Sequence, residues 1–219
     1  MPEITEKELP PNLKPLWLKS LTAVQASNPT YAVSLLQGVL KEAPGFLEAR
    51  KLLRKCELQI AGGAKKKSSF FGLQTGGMGS MKLQGQAKKD PEGTLPLIEK
   101  ELEKDPLNDQ ANELLFDTCV KLEMYETAAF ALETVRKGNP ENAKLLHKLA
   151  TFYISREQPL LASEVYNDII KHHPTDGVAI KGSKDASARA SMQKAKWDEN
   201  ADMRSLMKDQ GQFEEMEKA

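Results

Sequence analysis

Three prolines set the frame of this chain. Pro106, Pro140 and Pro174 stand 34 residues apart, and between them one pattern is written twice, over residues 109–142 and 143–176. Counted from Ala143, Leu146, Leu149, Ala150 and Tyr153 fall at positions 4, 7, 8 and 11, Ala162 and Tyr166 at 20 and 24, Ile169 at 27 and Pro174 at 32. Counted from Asp109, Leu115, Phe116, Cys119, Ala128, Leu132, Val135 and Pro140 take positions 7, 8, 11, 20, 24, 27 and 32, with Asn112 at position 4. Apolar residues three and four apart describe one face of a helix. Small residues at 8 and 20 let two helices approach closely, and the proline ends the second.

The pattern resembles the tetratricopeptide repeat, a helix-turn-helix unit with the signature W-x2-L-G-x2-Y, A-x3-F and a closing proline. The resemblance implies an all-α protein, a right-handed superhelical solenoid of hairpins whose concave side is lined by the first helix of each pair. Carried over by repeat position, it assigns that groove to Glu113, Asp117 and Lys121 with Leu114 and Val120, then to Lys144, His147, Lys148 and Thr151 with Ile154. The tetratricopeptide domains that grip acidic chaperone tails carry Lys at position 5 and Asn at position 9. Here Glu113 and Asp117, then His147 and Thr151, hold those places, so that clamp is not expected. The order of features, including Lys184-Asp185-Ala186-Ser187-Ala188 ahead of Trp197, is similar to a group of bacterial tetratricopeptide proteins and implies the bacterial cytoplasm.

The rest of the chain is read around those repeats. Residues 1–12 are acidic and proline-bearing and are expected to be disordered or extended. Residues 13–60 read as a divergent helical block: Leu16, Ala23, Ala32, Leu36, Val39 and Pro44 keep repeat positions, with Trp17 one place off the signature. A helix over 45–60 has Phe46, Ala49, Leu52, Leu53 and Cys56 on one side and Arg50, Lys51, Arg54 and Lys55 on the other, the first helix of an incomplete repeat. Residues 61–79, rich in Gly and Lys, are expected to form a flexible linker. Pro44 and Pro106 lie 62 residues apart, six short of two repeats, so a degenerate repeat is placed at 75–108. Its second helix starts at Pro91 with Asp90 as cap, points Glu99, Glu101 and Glu103 outward, and is bent or delayed by Pro96. Repeats then fill 80–174, a small-residue helix caps 175–196, and 197–219 is an acidic amphipathic tail.

Several function classes are weighed against this frame. Thirty-one basic residues balance thirty-one acidic ones, so a nucleic-acid partner needs a local patch. The one patch in view is Lys65, Lys66, Lys67, Lys82, Lys88 and Lys89, with Phe70 and Phe71 beside it. It supports an alternative function, a nucleic-acid or ribosome-associated factor binding through 65–89. No window of eighteen apolar residues exists, so no membrane span is expected. Cys56 and Cys119 lack any zinc-ligand spacing and are expected on packed helix faces. No nucleophile elbow, HExxH or phosphate-binding loop appears, so no enzyme, cofactor or metal site is expected. The leading expectation is a noncovalent scaffold or adaptor that holds a peptide or helix of a partner protein. Neither the partner nor the oligomeric state is legible in the residues.

Overall fold

The computed structural model describes residues 2–62 and 82–196, and every element of length within them is helical. The chain divides into two compact units, residues 1–146 and 147–219, with the boundary inside one helix. The first unit contains α1 (Lys14–Gln25), α2 (Pro29–Glu42), α3 (Leu47–Ile60), α4 (82–89), α5 (Pro91–Lys104), α6 (Asp109–Lys121) and α7 (Tyr125–Gly138). Helix α8 (Ala143–Ser155) crosses into the second unit, which holds α9 (Pro159–His172) and α10 (177–196). The expected linker residues Lys65, Lys66, Lys67, Phe70 and Phe71 and the tail 197–219 lie outside the described residues.

Local chemistry sets the helix boundaries. Asn28, Asp90 and Asn108 each accept a backbone N–H from the first turn of α2, α5 and α6, at 3.2, 2.9 and 2.9 Å. Pro29, Pro91 and Pro159 take first-turn positions where no N–H is needed. Helix α5 starts at Pro91 and runs through Pro96, so that proline does not delay it. The turns from α1 to α2, α6 to α7 and α8 to α9 repeat one geometry. Ser27, Glu123 and Glu157 adopt left-handed φ of 54, 60 and 57°, and the following N–H reaches back to Ala23, Cys119 or Tyr153 at 2.9 Å in each. That is a Schellman-like helix end.

Helix α3 enters the same scheme. It buries Ala49, Arg50, Leu53, Arg54, Cys56 and Glu57, and α6 buries Ala111, Asn112, Leu115, Phe116, Thr118 and Cys119 at the same spacing. It also ends on a left-handed residue, Gly62, with φ 74°. Helix α3 is therefore the first helix of a repeat whose second helix is α5, not the start of one repeat followed by a degenerate second. The 62 residues from Pro44 to Pro106 are one 34-residue period carrying a 28-residue insertion, of which 82–89 form α4.

One further expectation is corrected in the first unit. Residues 2–12 are held in place: Ile4 pairs with Phe46 in a parallel bridge, Thr5 and Glu8 close a capping box, and Leu9 is buried. Trp17, off the repeat signature, is a core residue that meets Phe46 edge-on at 4.9 Å, while Leu16 is only half buried. A Cβ on Gly38 would stand 3.2 Å from Leu16, so the close approach of α1 to α2 uses glycine there. The core around them is Leu36, Val39, Leu40, Phe46 and Leu53.

Candidate partner-binding faces

Helix α3 meets α5 through charge. Arg50 Nε donates to Glu99 Oε1 at 2.7 Å, Arg54 to Glu99 Oε2 at 3.1 Å, and Arg54 also pairs with Glu57. All four side chains are buried, against the expectation that Arg50, Arg54 and Glu99 face solvent; Lys51 and Lys55 do face it. Burial alone would raise the Glu99 carboxyl, but Arg50 and Arg54 outweigh it and hold it below the usual carboxylate range. Glu57 goes the other way: burial, with Glu99 and Glu103 near, pushes it up to about 8 against the pull of Arg54. Cys119 is buried under this cluster and its thiol is pushed up to about 12, chiefly by burial, which leaves it unreactive. Cys56 is also buried, and burial raises it too.

In the first unit, the predicted groove residues Glu113, Asp117, Lys121 and Lys144 lie at the surface of α6 and the start of α8, with Glu113 half buried. Glu113 and Lys144 come within 3.7 Å of each other, so the acidic helix and the basic one partly satisfy each other's charge. Asn112, the departure at position 4, is buried and donates to the carbonyls of Pro106 and Asn108 at 3.1 and 2.9 Å. It ties the inter-repeat turn to α6 in place of an apolar contact.

In the second unit, Lys148 is half buried and Thr151 exposed. His147 is engaged within the fold: its Nε2 lies 2.8 Å from Asp176 Oδ2, and its ring sits 5.9 Å from that of Tyr166. Asp176 Oδ1 in turn caps α10 by accepting the Ala179 N–H at 2.9 Å. The His147 ring, followed by that N–H, holds the Asp176 carboxyl below its ordinary value. Helix α10 lies on α9 through Ala179, Gly182 and Ala186; a Cβ on Gly182 would stand 2.6 to 2.9 Å from the Tyr166 ring. Ser163 and Ser187 are 2.8 Å apart across the same contact.

Beside it lies an open groove of ≈ 440 Å³, lined by Ile154, Glu157, Pro159, Arg189, Met192, Gln193 and Lys196, where Gln193 donates to the Glu157 carbonyl at 3.1 Å. Ile154 came from the groove assignment; the α10 residues did not, because their repeat register is lost after Pro174. Met192 is 67% exposed, and nearby in sequence Leu160 is 63% exposed. The arrangement offers an apolar floor, with Glu157 at the α8–α9 turn and Arg189 and Lys196 on the α10 side. Among the described residues there is no cluster of metal-binding side chains, and no helix is long and apolar enough to cross a membrane.

These features define the class as an all-helical protein of repeated helix-turn-helix hairpins. No family model matches the chain, and no curated protein matches it. Among solved structures it is similar to one titled "Crystal structure of MamA protein", at 17% identity over 84% of this chain and 85% of that one, with a TM-score of 0.39. It is similar also to "Crystal structure of MamA", at 18% identity over 81% of this chain and 96% of that one, with a TM-score of 0.35. The hairpin architecture itself rests on the chain's own turns and buried positions.

Proposed function

We propose that this protein is a non-enzymatic interaction scaffold of the tetratricopeptide type, and that the α8–α10 groove of its second unit takes an apolar, acidic-flanked peptide or helix of a partner protein. The observation that carries this reading is the groove itself, where Ile154, Pro159 and Met192 supply apolar contact and Arg189 and Lys196 lie alongside. An exposed methionine on such a surface adapts to the shape of an incoming side chain. A partner helix anchored by one or two apolar residues fits the floor, with a carboxylate directed toward Arg189.

The test is affinity capture with the tagged full chain, with and without nuclease, in parallel with Met192→Asp and Arg189→Glu. A protein partner that survives nuclease and is lost by about tenfold or more in either variant supports the reading, as expected of anchor residues. Capture that vanishes with nuclease, and is untouched by the variants, overturns it in favour of the lysine-rich insertion.

A further inference from the structure

Helix α7 begins without a cap of its own. Its N-cap residue is Met124, whose side chain accepts nothing. The free donors of that first turn go instead to Glu3, which accepts from Glu126 N at 3.0 Å and from Thr127 N and Thr127 Oγ1 at 2.6 Å each. Beside this anion position lies a backbone edge. Ile4 N donates to Gly45 O at 3.0 Å, and Ile4 pairs with Phe46. Gly45 has the space to admit it only because it lacks a side chain: a Cβ there would stand 2.3 Å from Pro2 O.

We propose that residues 2–8 are an autoinhibitory strap, filling in cis a notch of the first unit that accepts an extended partner segment with glutamate followed by a β-branched aliphatic residue. Three features recognise such a segment together. The α7 N-terminus takes the carboxylate, the Gly45–Phe46 edge pairs with the backbone, and the Ile4 position takes the aliphatic side chain. Charge alone does not suffice, because the backbone bridge fixes which residue follows the anion. The strap is also built to leave. Pro2 and residues 5–8 are exposed, Glu3 and Ile4 are half buried, and the first fully buried anchor is Leu9. Residues 2–8 can lift away while Leu9 and Leu13 stay in the core. A partner segment competes with a ligand already present at high effective concentration, so binding in trans is suppressed until the strap is displaced. The inference rests on the first unit alone and stands independently of the α8–α10 groove.

The probe is a fluorescent peptide with the sequence of residues 2–8, titrated by anisotropy against the full-length chain. Glu3→Ala is expected to bind it at least about tenfold more tightly than the wild type, since the cis competitor has lost its charge-assisted hydrogen bonds. The double variant Glu3→Ala/Gly45→Ala is expected not to bind, and neither is a peptide whose glutamate is replaced by alanine. Failure of Glu3→Ala to bind the peptide while its helical circular dichroism is unchanged overturns the proposal and leaves the strap as a structural cap. Equal binding by the double variant overturns it as well, since association would not use the notch. Should Glu3→Ala lose helical signal, Glu3→Gln keeps an acceptor oxygen without the charge, and its binding the peptide no better than wild type is the overturning result.

Discussion

Glu99 stands between two buried guanidinium groups, and that position makes its loss costly to the first unit. Its carboxylate is shared by Arg50 and Arg54 with almost no solvent to replace it. Glu99→Ala leaves two cations buried without that partner, and a loss of about 3–5 kcal/mol is expected in urea unfolding. Glu57 sets the pH response. Its carboxyl is held protonated up to about 8 in the fold, against 4.5 as the ordinary value. The folded chain then holds a proton that the unfolded chain has already released, so this contribution to stability is complete below about 4.5 and declines as pH rises through about 8. Glu57→Gln, which keeps the shape and cannot ionise, is expected to flatten that decline, read as unfolding midpoints across the window.

At the scale of the element, close packing is concentrated where a side chain is missing. Gly182→Ala drives a methyl into the Tyr166 ring, and a loss of about 1–3 kcal/mol is expected, read in the thermal unfolding of the full chain. The same close seating explains what the sequence could reveal. Helices α6 to α9 were legible because their apolar and small residues recur with the prolines, and the boundaries follow. The α3–α5 pairing was not legible. Arg50, Arg54 and Glu99 occupy buried positions, yet charged residues default to solvent when read one at a time. The spacing from Pro44 to Pro106 fits two shortened repeats as readily as one interrupted repeat. The turn positions Ser27, Glu123 and Glu157 gave no glycine signal, although each takes a left-handed conformation. Of the groove residues, Glu113 and Lys144 were brought together, while His147 turned inward to Asp176. The strap was hidden because its partner, Thr127, lies 124 residues along the chain.

At the scale of the molecule, hairpins that touch only their neighbours unfold by degrees from the ends. The first unit has a contact that opposes this, since Glu3 reaches α7. In hydrogen exchange, Glu126 and Thr127 amides are expected to exchange slowly in the wild type and at the rate of an uncapped helix start in Glu3→Ala. The α2 core amides should be unchanged in both. The strap also imposes an order on biosynthesis. The ribosome makes Glu3 more than a hundred residues before the donors it accepts from, at Glu126 and Thr127. The Glu3 carboxylate therefore waits for its seat, and during that interval only the pairing of Ile4 with Gly45 and Phe46 can hold the strap.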